Sequence, residues 1–244
     1  MTETLKKEFK KLYHELKLSN HTFRRMYNYL TWCFKDIDFD NRSVLDIGGG
    51  NGIYSFYAKF NGAKQALNLE PFAAGSTQFN FDLIDSKSDF NIQVIGETIQ
   101  RFDSNQKFDI IIMHDSINHL DESVFEKIHK DSNAFKEYKK LINKIVEYLS
   151  QDGTIIITDC SNRNFWGDLG LKSPFAPTIN WHLHQPPSLV KILFEDHVTQ
   201  VKLRWSPFKR FGVFGRLLSK IGMVPSYFMQ SHFNLVLNFD SGND

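Results

Sequence analysis

Residues 44–52 read Val44-Leu45-Asp46-Ile47-Gly48-Gly49-Gly50-Asn51-Gly52, an apolar strand that ends in an acid and runs straight into a glycine-dense turn. Glycine is needed where the backbone takes left-handed dihedrals or where a ligand approaches closer than a Cβ permits. Ile53 to Phe60 then reads as a helix with apolar residues on most faces. The order strand, tight turn, buried helix opens a parallel α/β sheet. Such sheets bind nucleotide-like ligands at the carboxyl ends of their strands.

The spacing of the turn separates two ligand classes. The dinucleotide fingerprint is G-x-G-x-x-G, its third glycine allowing close packing of helix on strand. Gly48, Gly50 and Gly52 give G-x-G-x-G instead, and Ile53 stands where the third glycine would be. About twenty residues further on, an acid is expected to hold ribose hydroxyls at the end of the second strand. Glu70 closes the apolar run Ala66-Leu67-Asn68-Leu69 and fits that place. Its two oxygens can accept from adjacent hydroxyls, which favours an unphosphorylated ribose.

Phe108-Asp-Ile-Ile-Ile-Met-His-Asp-Ser-Ile-Asn-His-Leu120 and Asp152-Gly-Thr-Ile-Ile-Ile-Thr-Asp159 extend the pattern. With these four stretches in order, residues 41–160 resemble the class I S-adenosylmethionine-dependent methyltransferases. The resemblance implies a Rossmann-like α/β fold: a seven-stranded, mostly parallel sheet with helices on both faces and the last strand antiparallel. Strands are read near 64–69, 91–95, 108–113, 154–159, 197–205 and 232–239 besides the first. Helices are read near 5–16, 22–34, 74–84, 122–129, 133–149 and 188–194. A single domain over 1–244 is expected, with an N-terminal helical cap (1–40), a cofactor-binding core (41–160), and acceptor-side loops and closing strands (161–244). Residues 206–231 read as an insertion in which Phe211, Phe214, Leu217, Leu218 and Ile221 share the stretch with Lys209, Arg210, Arg216 and Lys220. That is a basic amphipathic helix in outline, either packing on its own domain or touching a membrane surface or lipid-like substrate.

The resemblance also assigns roles. The cofactor is S-adenosyl-L-methionine. Gly48 and Gly50 bring backbone groups to its methionine end, with Asn51 and Gly52 completing the turn, and Asp46 orients its amine or a nearby water. Glu70 takes the ribose, Phe72 lies against the adenine, Glu97 accepts from the adenine amino group, and His114 lies beside the methionine portion. Methyl transfer is a direct displacement whose rate comes largely from proximity and orientation. A hydroxyl acceptor also needs a base, and histidine has a pKa near neutrality. His119, in Ser116-Ile-Asn-His-Leu120, is the first candidate, Asp115 the second, and Asp159 is a candidate for orienting the acceptor. For each, a helix cap or structural hydrogen bond is the alternative. His182 and His184, in Trp181-His-Leu-His-Gln-Pro-Pro187, are candidates for touching the acceptor. A closed metal site needs about four ligands and neither cysteine is near in sequence, so no metal is expected.

Composition bounds the partners. A net charge of +1 gives no whole-chain signature for nucleic acid, and the Asn/Asp-Pro-Pro-Tyr/Phe tetrapeptide of base methylation is absent after the fourth strand, so no nucleic-acid partner is expected. Two cysteines cannot make a disulfide framework, and no apolar run reaches the length of a membrane span. The chain reads as a cytoplasmic protein acting on a small-molecule, apolar or lipid-linked acceptor. A nicotinamide-dependent oxidoreductase and a catalytically silent methyltransferase-like binding protein are the alternatives.

Overall fold

A computed structural model describes residues 1–71, 90–177, 179–196, 198–206, 218, 221–229 and 231–239. Phe72, the helix expected near 74–84, and most of the 206–231 insertion, with all four of its basic residues, lie outside the described residues. The strands form a seven-stranded sheet in the order β3-β2-β1-β4-β5-β7-β6, where β1 is Ser43–Ile47, β2 Gln65–Leu69, β3 Ile92–Ile95, β4 Phe108–His114, β5 Leu149–Cys160, β6 Gln200–Ser206 and β7 His232–Asn238. β1 pairs in parallel with β2 and β4, and β2 with β3, whereas β6 and β7 are antiparallel. This is the Rossmann-like arrangement expected.

The chain divides into two compact units, residues 1–114 with 148–155, and residues 115–147 with 156–244. The division falls immediately after β4 and inside β5. Neither place is a linker, so composition carries no mark of it, and its limits differ from the three stretches expected along the chain.

In unit 1, helices α1 (Glu3–Glu15), α2 (Phe23–Cys33) and α3 (Ile53–Phe60) accompany the strands. Thr2 caps α1 by accepting from the Leu5 N–H, and the buried face of that helix is Phe9, Leu12 and Tyr13. Phe9 is fully buried with ring centroids 5.8 Å from Phe23, 6.0 Å from Tyr57 and 5.2 Å from Phe60. α1 and α2 are thereby held to α3 by aromatic edges, and loss of one such buried Phe ring costs about 3–5 kcal/mol. Seven of the eight residues of α3 are buried, which is why its sequence is apolar all round. At the opposite ends of the strands, Asp109 accepts from the Ser43 N–H and hydroxyl, both at 2.7 Å, and from the Ser150 hydroxyl at 3.0 Å. The Phe108 N–H donates to the Tyr148 carbonyl. These contacts draw the chain into β5 from Leu149, five residues before the strand start that Asp152-Gly153 suggested, and Asp152 is absorbed at φ 59°.

Unit 2 holds a 3₁₀ turn at Ile117–His119, α4 (Glu122–Phe125), α5 (Ser132–Glu147), α6 (Phe165–Asp168), a 3₁₀ turn at Trp181–Leu183, α7 (Pro187–Leu193) and α8 (Met223–Met229). α5 buries Ala134, Tyr138, Ile142 and Ile145, an i, i+4, i+8, i+11 stripe. α4 covers only the first turn of the helix expected over 122–129, Asp121 capping it at the Val124 N–H. α8 lies in the insertion but was not separated from it in sequence.

Candidate functional site

The glycine turn of unit 1 follows from its dihedrals. Gly48, Gly50 and Gly52 all have positive φ, at 69°, 48° and 71°, a region that costs other residues about 1–2 kcal/mol. Their amides are used within the protein: the Gly48 N–H donates to the Leu69 carbonyl at 2.8 Å, Gly52 to Gly49 at 2.8 Å, and Gly50 to Oε2 of Glu70 at 2.9 Å. These glycines therefore serve the path of the chain and the close approach rather than offering their N–H groups. A Cβ on Gly50 would meet nothing within 4 Å, whereas one on Gly49 would lie 2.4 Å from Oδ1 of Asn68 and 2.6 Å from Cγ of Asp46. Gly49, absent from the sequence-based site, is fixed by the two side chains packed beneath it.

Those side chains are register partners on adjacent strands. Asp46 is fully buried; its Oδ2 accepts from the Ser55 N–H at 3.1 Å and the Ser55 hydroxyl at 2.8 Å. Burial pushes its carboxyl up to about 7, the two Ser55 bonds opposing and the charge of Glu70 adding to the rise. Asn68 donates to the Gly50 carbonyl at 3.2 Å. Oδ1 of Asp46 and Oδ1 of Asn68 are both buried without a hydrogen-bond partner among the described residues. Two orphaned acceptors beneath a glycine turn fit a ligand or water bearing N–H or O–H donors. Glu70, also buried, sits at the end of β2 with its carboxylate against the turn, and Asn51 is half-buried within it. Glu97 is exposed in the loop after β3. His114, at the end of β4, is held from two sides: Tyr29 of α2 hydrogen-bonds its Nε2 at 2.6 Å, and Tyr54 of α3 stacks on it with centroids 4.3 Å apart. Neither tyrosine was foreseen, since Tyr29 is 85 residues from its partner.

Unit 2, taken by itself, holds a buried acid–imidazole pair. Nδ1 of His184 lies 2.8 Å from Oδ1 of Asp159, their side chains 13% and 2% exposed. Burial pulls the imidazole down, but the bond to Asp159 and the charges of Asp159 and Asp115 outweigh it, and its pKa is raised above 6.5. Burial likewise raises Asp159, against the pull of His184. Asp115 is exposed, with a left-handed φ of 48°, and its N–H donates to the Thr158 carbonyl. Three expected residues therefore act on one another: Asp115, Asp159 and His184. The other two do not join them. His119 is half-exposed and spends its Nδ1 on Glu122 at 2.6 Å, and His182 is exposed on its 3₁₀ turn.

The chain matches the methyltransferase domain family over residues 18–195. It belongs to the class I S-adenosylmethionine-dependent methyltransferases. Within that family, it is 36% identical over 77 residues to the histone-arginine methyltransferase CARMER of Drosophila ananassae, a stretch that is 31% of this chain and 14% of the relative. The chain thus spans only a small part of the length of the curated relatives it matches. In fold this methyltransferase-family chain is similar to the N-methyltransferase NodS of Bradyrhizobium japonicum, solved with S-adenosyl-L-homocysteine (TM-score 0.54, 11% identity, 96% of this chain and 99% of that one). It is also similar to the 1,6-didemethyltoxoflavin-N1-methyltransferase of Burkholderia thailandensis, solved with 1,6-didemethyltoxoflavin and S-adenosylhomocysteine (TM-score 0.55, 12% identity, 97% and 88%). Among the described residues no helix is long and apolar enough to cross a membrane.

Proposed function

We propose that the protein transfers a methyl group from S-adenosyl-L-methionine to a small-molecule acceptor by direct displacement. The observation that carries this reading is Glu70, fixed by the Gly50 N–H at the end of the second strand, where a ribose is held in sheets of this kind. Asp46, Gly48, Gly50, Asn51, Gly52 and Glu70 would hold the cofactor, with Glu97 toward the adenine and His114 toward the methionine portion. When bound, the cofactor supplies an electrophilic methyl on a sulfonium. Asp46 is suited to its amine, because a cation beside a buried, half-satisfied carboxylate favours the ionised form.

For the acceptor, the Asp159–His184 pair is the best-built proton acceptor. Asp159 fixes the ring and tautomer of His184, leaving Nε2 as the base, and Asp115 adds negative charge that stabilises the imidazolium formed. His119, bonded to Glu122, is the second candidate. A small molecule is favoured over a protein acceptor because the likeness to the toxoflavin enzyme spans nearly the whole chain, while that to the histone-arginine enzyme spans under a third. Cys33 and Cys160 are both buried, and two cysteines cannot make a disulfide framework, which suits a reducing cytoplasm.

Calorimetry decides the cofactor. S-Adenosylhomocysteine is expected to bind the folded protein with one site and to raise its Tm, while NAD does neither. Heatless titration of well-folded protein with S-adenosylhomocysteine, with no Tm shift, would overturn the reading.

A further inference from the structure

Unit 2 contains a cavity of about 650 Å³, within the size range of sites for small organic ligands. Its floor is one face of the β6–β7 ribbon: Val201, Leu203 and Trp205 alternate along β6, and Leu235 is the register partner of Leu203. Met223 and Tyr227 of α8 and Pro187, Ser188 and Lys191 of α7 also line the cavity. An apolar ribbon face of this kind is normally covered, yet Leu203 is 43% and Met223 47% exposed.

Arg163, Asp168 and Lys191 all line the cavity. Asp168 is fully engaged, one oxygen taking the Arg163 Nε at 3.0 Å and the other the Tyr227 hydroxyl at 2.9 Å, so Arg163 and Asp168 neutralise one another. The acids that follow α7, Glu195 and Asp196, pair with Lys139 at 3.9 and 2.8 Å. Lys191 remains, an exposed cation with no acidic partner among the described residues. An apolar floor together with one ammonium that no described acid pairs complements an amphipathic monoanion.

We propose that this cavity is a binding site for an alkyl carboxylate of medium chain length, its hydrocarbon lying along Val201, Leu203 and Trp205 and its carboxylate meeting Lys191. The site stands on unit 2 alone and goes beyond the methyl-transfer reading.

The probe is sodium dodecanoate, titrated below its micelle concentration by calorimetry into the full chain, with dodecanol and dodecyltrimethylammonium as charge controls. Dodecanoate is expected to saturate one site and to bind at least tenfold more tightly than the cation. Leu203→Glu, which puts a second charge on the exposed floor, should weaken dodecanoate at least tenfold. Lys191→Glu should weaken it similarly and reverse the preference toward dodecyltrimethylammonium. Both positions are exposed, and Lys191→Glu tests the charge should Leu203→Glu fail to fold. S-Adenosylhomocysteine titrated into the same variants separates the two readings, because its affinity should not change. Absence of dodecanoate saturation, equal affinity for all three amphiphiles, or parental binding by Lys191→Glu would overturn the proposal.

Discussion

Asp46 makes stability depend on pH in a direction opposite to that of most carboxylates. Its carboxyl lies near 7 in the native protein against an ordinary 3.8. At about 1.4 kcal/mol per pH unit, that difference amounts to about 4 kcal/mol, to an order of magnitude, and the group is wholly buried, so solvent does not screen it. Between the two values the native state keeps a proton that the unfolded chain has lost. Stability from this group is therefore fully present below about pH 4 and is lost as pH rises through about 7. Asp46→Asn keeps an oxygen for the Ser55 hydroxyl but cannot ionise, so its stability does not fall in the same way. Urea denaturation of both proteins at about pH 5 and about pH 8 isolates the effect, since every other titration is common to the pair. The advantage of Asp46→Asn over the parent should grow by about 3 kcal/mol across that window. A ligand ammonium near Asp46 would favour the carboxylate, so saturating S-adenosylhomocysteine should flatten the parent's decline. An advantage that is the same at both pH values would refute the reasoning.

Gly49→Ala should destabilise the protein by about 1–3 kcal/mol, read as a lower Tm, and weaken S-adenosylhomocysteine, because its Cβ would collide with Asn68 and Asp46; Gly50→Ala meets no such wall and should pay only the dihedral cost. Glu70→Ala should weaken S-adenosylhomocysteine about tenfold or more in calorimetry, as the loss of charge-assisted hydrogen bonds worth about 1.5–3 kcal/mol. Once an acceptor is found, His184→Ala should lower turnover about 10²–10⁴-fold, while His119→Ala changes it little. On the proposed mechanism a neutral His184 is the working base, so the rate should climb as pH passes its raised pKa; Asp159→Asn keeps an oxygen for the ring N–H but removes the carboxylate charge, and should move that limb to lower pH.

Strand positions were legible where apolar runs are closed by glycine or charge within a few residues. Ser43–Ile47 and Gln65–Leu69 are such runs, and with Glu70 they mark the end of the sheet proposed to take the cofactor. What was not legible depends on partners distant in sequence. β5 starts early because Tyr148 and Ser150 are held by Phe108 and Asp109, and no local period encodes that. The pairing of Asp159 with His184 spans 25 residues, so the sequence offers His119 as a base on a short motif and His184 only as a candidate for touching the acceptor. Gly49 passed unnoticed because its small size answers to Asp46 and Asn68 packed against it, not to its own dihedrals. Exposure of the edge strand β6 at Leu203 likewise follows from its place in the sheet order, which an alternating pattern cannot reveal.

The enclosure of α3, with only Lys59 reaching solvent to bond the Ala63 and Lys64 carbonyls, bears on how this stretch can change over generations. A close-packed interior registers even a single methylene, and neighbours in contact do not vary independently. Drift along 53–60 must accordingly come as matched exchanges with the aromatic rings of α1 and α2, so the leading helices and the segment behind the glycine bend are bound to diverge as one inherited block.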